Sequence, residues 1–181
     1  MKADILSYLR VLKRGTVNLV DDLLKNIDLR AMNTDELSTL IMNNPEVADD
    51  LIKKISCEFG TSIKNNPLRQ EYESAVSGLS DLANKLNTDG LTDEAIARQL
   101  HQARRDLGVK YKDLLPQLMK EYIYDVNIGR YGDKLGPTID YLINTKGKTW
   151  AEVIDSATRL NPNVDSLLGG FETWLRTQNG L

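Results

Sequence analysis

The sequence is poor in the residues that mark disulfide-rich, zinc-binding and membrane-spanning proteins. It contains one cysteine, Cys57, and one histidine, His101. One cysteine cannot form an internal disulfide, and these two residues cannot supply the four soft ligands of a structural zinc site. No apolar run of about 18 residues occurs, and residues 1–15 alternate charged with apolar side chains. We therefore expect a cytoplasmic protein with no membrane span, no bound metal and no cofactor.

What is present is the composition of an ordinary folded protein. Hydrophobic residues make up 41% of the 181 positions and charged residues 27%, with a net charge of −3. Residues 1–100 carry 12 Lys/Arg against 16 Asp/Glu, whereas residues 101–181 carry 11 against 10. The second part of the chain is therefore the more favourable place for an anionic ligand, although a nucleic-acid-binding domain is usually far more basic.

Apolar residues spaced three and four apart predict helices along most of the chain. The strongest pattern follows Asn66-Pro67, a pair that suits the first residues of a helix, and predicts a helix over 67–87. Its apolar stripe consists of Leu68, Tyr72, Ala75, Leu79, Leu82 and Leu86.

Capping residues and glycines set the expected limits of the other helices. Asn44-Pro45 should begin a helix that Gly60 ends, and Thr92 should begin one that Gly108 ends. Thr149-x-x-Glu152 is a capping box, and the apolar residues from Val164 to Leu175 predict the last helix. Shorter helices are expected at 3–13, 16–27, 34–43, 115–127 and 137–144.

No segment shows the alternation of a β-strand, so the sequence predicts an all-α protein, an irregular bundle of roughly nine or ten helices. Glycine and Asn65-Asn66-Pro67 interrupt the pattern between residues 60 and 66. This break predicts a small helical module over 1–62 and a second domain over 66–181. A single bundle with a connecting loop fits the pattern equally well.

His101 is the first candidate for acid–base chemistry, because it is the only side chain that ordinarily titrates near neutral pH. It lies one helical turn from Arg104 and Arg105, which would contact an anion such as a phosphodiester. A solvated surface histidine is the alternative. Cys57 has no base near it in the sequence and is predicted to be a partly buried structural thiol.

A second candidate region begins where the helical pattern gives way to glycine and charge, at residues 127–138. Glycines at 129, 132 and 136 would let the backbone approach a ligand closely. The side chains of interest are Arg130, Tyr131 and Asp133, together with Thr138 at the start of the next helix. The alternative is a glycine-capped connection in which Arg130 and Asp133 pair at the surface. Lys148 and Trp150 follow nearby, and Trp150 would either stack on a base or pack in the core.

Between residues 92 and 160 the sequence resembles the C-terminal toxin region of bacterial polymorphic toxins of the Rhs and contact-dependent-inhibition type. The resemblance is carried by five short stretches, which are Ala97–Gly108, Tyr111–Leu114, Arg130–Thr138, Gly147–Trp150 and Ser156–Arg159. It implies an effector delivered from a larger secreted protein into the cytosol of a competing cell. It also implies a cognate immunity protein as partner and, commonly, nuclease activity on tRNA or DNA.

Two functions are therefore expected to compete. The first is a metal-independent ribonuclease whose expected substrate is tRNA. His101 would act as acid or base, and Asp133 would act as base or orient an arginine. Its substrate-binding residues would be Arg104, Arg105, Arg130, Tyr131, Thr138, Lys148 and Trp150. The alternative is a non-enzymatic protein–protein interaction module that uses the apolar stripe of the 67–87 helix.

Overall fold

The computed structural model describes residue 15, residues 19–160 and residues 164–181, and most of these are helical. The described part of the first helix, α1, covers residues 19–24. It is followed by α2 (Thr34–Asn43), α3 (Ala48–Lys64), α4 (Pro67–Thr88), α5 (Asp93–Lys110), α6 (Gln117–Tyr131), α7 (Trp150–Thr158) and α8 (Val164–Gln178). Tyr141–Thr145 forms a short π-helical segment. No strand occurs within these residues, which confirms the all-α prediction; the helix expected at 3–13 lies outside them.

Side-chain caps begin several helices where the sequence predicts them. The side chain of Asn66 accepts a hydrogen bond from the backbone N–H of Leu68, 3.0 Å away, at the start of α4. Thr149 and Glu152 form both bonds of a capping box at the start of α7. Each cap satisfies a backbone N–H that has no partner inside the helix, which fixes the first turn.

The predicted helix ends at Gly60 and Gly108 are wrong, because α3 continues to Lys64 and α5 to Lys110. Neither glycine has the positive φ angle with which a glycine ends a helix. Gly60 is buried, and a Cβ atom there would lie 2.8 Å from the Cδ1 atom of Leu168 on α8. Its small size therefore serves the packing of α3 against α8. The start of α3 also differs, since Asn44 makes no side-chain cap and Pro45–Val47 forms a separate turn.

The prediction of a partly buried Cys57 is also wrong, because its side chain is exposed. The buried face of α3 is occupied by larger apolar residues, among them Leu51, Ile55 and Phe59. Cys57 lies two positions from Ile55 and from Phe59, which turns it away from that face.

The chain divides into two compact units. The first comprises Met1–Ser62, Pro116–Met119 and Val164–Leu181, and the second comprises Ile63–Leu115 and Lys120–Asn163. In the first unit the rings of Phe59 and Phe171 pack with their centroids 5.8 Å apart. The predicted domains, 1–62 and 66–181, stay a prediction, because the two units are defined by contacts in the folded chain and not by independent folding.

The second unit is built around α4, α5 and α7. Its buried core consists of Leu79, Ile96, Leu100 and Ala157, with Leu82 and Leu86 packed against it. Three of the six residues of the apolar stripe of α4 therefore pack in this core. Among the helices that the structure describes, none combines the length and the apolar character that crossing a membrane requires.

Replacing Leu100 by alanine tests how much the second unit depends on this core. Leu100 is fully buried, so Leu100→Ala should lower the free energy of unfolding by about 2–5 kcal/mol. Urea unfolding followed by far-UV circular dichroism measures the loss. The exposed neighbour provides the control, since Gln99→Ala should change stability by no more than about 0.5 kcal/mol. Equal effects of the two substitutions would contradict the proposed core.

Candidate anion-binding cleft

The second unit contains a cleft of about 390 Å³ whose wall carries three arginines and the only histidine. One side of α5 supplies His101, Arg104, Arg105 and Gly108, which are spaced at three and four residues. The remaining lining residues are Tyr72, Leu135, Pro137, Leu142, Ser156, Ala157 and Arg159. The cleft therefore brings together three of the residues that the sequence nominates as candidates.

Arg105 of α5 holds the segment that follows α6 through hydrogen bonds. Its Nη2 atom donates to both carboxylate oxygens of Asp133, each at 3.1 Å. Its Nη1 atom donates to the carbonyl oxygens of Gly136 at 3.3 Å and Pro137 at 3.4 Å. Only 17% of the Arg105 side chain is exposed, so solvent screens these bonds less than it screens a surface pair.

Asp133 is therefore paired with Arg105, and the alternative in which it pairs with Arg130 is wrong. The guanidinium of Arg130 forms no hydrogen bond or ion pair within the described part of the chain. A bond from the backbone N–H of Leu135, at 2.8 Å, lowers the pKa of Asp133, and Arg105 lowers it further. A carboxylate held in this way is a weak base, so its geometry suits orientation of Arg105.

Arg104 joins α5 to the end of α7 and to α4. Its Nη1 atom donates to the carbonyl oxygen of Arg159 at 3.1 Å and to that of Ala157 at 3.4 Å. Its guanidinium carbon lies 5.7 Å from the centre of the Tyr72 ring, within the range of a cation–π contact. The charge of Arg104 is thereby fixed at the wall of the cleft.

His101 is partly buried in this wall, and the interpretation of it as a solvated surface histidine is wrong. Its Nε2 atom is buried and has no hydrogen-bond partner among the described residues. Burial lowers the pKa of His101 below its usual value of 6.5, and the charge of Arg105 lowers it further, against a smaller opposite effect of the Pro137 backbone. The ring is therefore neutral at neutral pH and able to accept a proton.

The other predicted site residues lie outside the cleft lining. Thr138 accepts a hydrogen bond from the backbone N–H of Tyr141 at 3.2 Å, so its hydroxyl caps the helical turn that follows it. The Nζ atom of Lys148 lies 3.9 Å from the Oε1 atom of Glu152 at the surface. Trp150 packs under Arg98, with 5.2 Å from the guanidinium carbon to the ring centre.

Arg130 and Tyr131 form the last turn of α6, because the helix runs through Gly129. The chain turns only at Gly132 and Gly136, whose φ angles are +70° and +100°. These two glycines adopt a backbone conformation that other residues rarely adopt. The third glycine of the predicted loop is thus an ordinary helical residue.

Tyr72, Ser156 and Arg159 line the cleft although the sequence does not predict them there. By its position in the sequence, Tyr72 fits the apolar stripe of α4 equally well. Arg159 follows the last turn of α7, where a basic residue ordinarily serves the helix end. No local signal distinguishes such a residue from one that lines a cleft.

No match to this chain was found among protein-family models, curated proteins or solved structures. Nor do the described residues contain a cluster of three or more histidine, cysteine or acidic side chains placed to hold a metal ion.

Substituting Arg105 by lysine tests whether the guanidinium group of Arg105 holds the segment after α6 in place. Arg105→Lys keeps the charge but removes the planar group that reaches four acceptors, so the amides of Leu135 and Gly136 should exchange hydrogen several-fold faster. Hydrogen-exchange mass spectrometry or NMR measures the rates. The control is Arg98→Lys, the same substitution elsewhere on α5, which should leave the exchange rates of these two amides unchanged. Unaltered exchange in Arg105→Lys would show that other contacts hold the segment.

The lowered pKa of Asp133 predicts a specific pH dependence of stability. Its carboxylate stabilises the folded state above its ordinary pKa of 3.8, and this contribution is lost as the pH falls through the lower pKa of the folded state. Asp133→Asn should therefore be less stable than the wild type at pH 7 and 5, and the difference should shrink towards pH 3. Urea unfolding at each pH measures it. The exposed Asp81→Asn is the control, and a difference that does not depend on pH would contradict the pairing.

Proposed function

We propose that the chain is a ribonuclease that cleaves RNA without a metal ion and acts as an interbacterial toxin. The observation that supports this proposal is the cleft that places His101 among Arg104, Arg105 and Arg159. A neutral histidine provides a base, and fixed guanidinium groups provide positive charge beside an anionic substrate. Its volume of about 390 Å³ lies at the lower end of the range for ligand pockets and suits one nucleotide at a time.

In the proposed reaction, a ring nitrogen of His101 takes the proton from the ribose 2′-hydroxyl. The 2′-oxygen then attacks the adjacent phosphorus, and the bond from phosphorus to the 5′-oxygen breaks. The products are a 2′,3′-cyclic phosphate and a 5′-hydroxyl, whose oxygen takes its proton from solvent in the open cleft. Arg104 and Arg159 stabilise the added negative charge on the phosphorane, while Arg105 positions the segment that closes one side of the cleft.

The buried Nε2 atom of His101 adds support to this assignment. A buried nitrogen without a partner costs about 1–3 kcal/mol, and buried polar atoms in folded proteins are nearly always hydrogen-bonded. Contact between this nitrogen and a substrate hydroxyl requires the groups that cover it to move, and it would then supply the bond that the described residues do not.

The toxin assignment, the tRNA substrate and the cognate immunity protein rest on the resemblance between residues 92 and 160. Every lining residue of the cleft except Tyr72 lies within that stretch. The alternative function, a protein–protein interaction module, is less well supported by the apolar stripe, because Leu79 and Leu82 of the stripe pack inside the second unit. The acidic composition of residues 1–100 still fits it.

Cleavage of total tRNA by the purified chain, with magnesium and with EDTA, tests the proposal. The wild type should cleave under both conditions, and His101→Ala should lose roughly a hundredfold or more of the rate, as expected for a missing general base. Because the pKa of His101 is lowered, the rate should rise with pH along a limb whose midpoint lies below 6.5. Gln99→Ala, on the exposed side of the same helix, should keep the wild-type rate.

Induction of the same variants in a bacterium gives an independent measurement. The wild type and Gln99→Ala should arrest growth, and His101→Ala should not. If the wild type leaves tRNA intact in both buffers, or if His101→Ala cleaves at the wild-type rate, the proposed mechanism fails.

A further inference from the structure

A second cluster of cations and aromatic rings lies outside the cleft lining, on α6 and the segments that follow it. We call it the basic tyrosine patch and define it by Tyr124, Arg130, Tyr131, Lys134, Tyr141 and Lys146. Three of its members are tyrosines and three are cations, and all three cations are exposed. It contains Arg130 and Tyr131, two of the sequence-predicted residues that do not line the cleft.

Contacts among these side chains hold the patch together. The rings of Tyr131 and Tyr141 meet edge to face with their centroids 5.5 Å apart. The Tyr141 hydroxyl donates to the carbonyl oxygen of Arg130 at 3.5 Å, and the Nζ atom of Lys146 lies 5.9 Å from the centre of the Tyr141 ring. The π-helical segment that contains Tyr141 is thereby joined to the last turn of α6.

Lys134 joins the other part of the patch to the same helix. Its Nζ atom lies 5.8 Å from the centre of the Tyr124 ring, and its carbonyl oxygen accepts from the side chain of Asn127 at 3.1 Å. Tyr124 and Tyr131 are seven residues apart on α6, so they lie on the same face of the helix. The two rings and their cations therefore share one surface.

The patch has an excess of positive charge that the chain as a whole lacks. Within the described residues, Arg130, Lys134 and Lys146 form no salt bridge with a carboxylate, and the contacts of both lysines are with aromatic rings. Asp133, next in the chain to Lys134, is bound to Arg105 instead. A net charge of −3 for the whole protein makes this local concentration of unpaired cations unusual.

We propose that the basic tyrosine patch binds a single-stranded segment of RNA outside the cleft. Stacking of bases on tyrosine rings together with phosphate contacts from neighbouring cations is the chemistry by which proteins bind single strands. The choice of RNA as the ligand rests on the proposed function. Residues 133–137 link the two places, because Lys134 belongs to the patch while Leu135 and Pro137 line the cleft.

Binding of fluorescein-labelled 2′-O-methyl RNA to the full-length chain tests this proposal without cleavage, since the modified ribose has no 2′-hydroxyl proton. Fluorescence anisotropy gives Kd for a single-stranded ten-nucleotide probe, a length of about ten being within the range of single-strand sites. The variant R130A/K134A/K146A should bind at least about tenfold more weakly. Its slope of log Kd against log salt concentration should fall by roughly 2, at about 0.7 per phosphate contact on a single strand.

Two matched comparisons distinguish RNA binding by the patch from non-specific attraction between RNA and any exposed cation. The control K25A/K85A/K112A removes the same charge from exposed positions outside the patch and the cleft, and it should keep most of the affinity. Tyr131→Ala should weaken binding about fivefold or more with an unchanged salt slope, because it removes stacking and no charge. Tyr131→Phe should bind like the wild type. Circular dichroism and urea unfolding of each variant verify the fold.

The proposal is overturned if the two triple variants weaken binding equally, or if the patch variants bind RNA as the wild type does. Cleavage of unmodified RNA is measured separately. Patch-dependent binding without cleavage supports the patch and refutes the ribonuclease, whereas cleavage with patch-independent binding refutes the patch alone. No binding by the wild type overturns the patch, and the ribonuclease is overturned only if unmodified RNA is left intact.

Discussion

The bonds of Arg105 are the constraint on which the cleft depends. Between Gly132, whose N–H still bonds to the Ile128 carbonyl oxygen of α6, and Pro137, there is one further hydrogen bond between backbone groups, from Gly136 to the carbonyl oxygen of Asp133 at 3.2 Å. The segment turns through two glycines with positive φ angles. A single planar guanidinium supplies bonds to the carboxylate of Asp133 and to two carbonyl oxygens of that segment. Lysine presents one point charge and could not satisfy these acceptors in the same geometry. The shape of this wall is therefore set by one side chain of α5.

The same charge also acts on the pKa of the neighbouring histidine. Arg105 lies one helical turn from His101, and after burial it is the largest cause of the lowered pKa. Arg105 thus holds the wall and, together with burial, lowers the pKa of His101, while the side chains of Arg104 and Arg159 line the same cleft. Structural and chemical roles are thus combined in one helix face, which is why removing Arg105 would alter both.

Local rules account for most of the helices and for part of the cleft. Caps such as Asn66 and Thr149 act within three residues, so the sequence around them was sufficient to predict the helix starts. The helical spacing of His101, Arg104 and Arg105 likewise predicted that they share a face. Gly60 was misinterpreted because the reason for its small side chain is Leu168, which is distant in the sequence. The pairing of Asp133 with Arg105 instead of Arg130 is a tertiary contact of the same kind.

The charge distribution gives the cleft and the patch a common consequence. The chain carries a net charge of −3, so at long range it would repel a polyanion, and attraction arises only where cations lie close together without acidic partners. In the cleft, Arg105 is neutralised by Asp133, and Arg159 is paired with Asp155. Most of the unpaired positive charge in this part of the chain is therefore in the patch, on Arg130 and two lysines. If RNA is the substrate, its capture would depend mainly on the patch, and the cleft would contribute chemistry more than affinity.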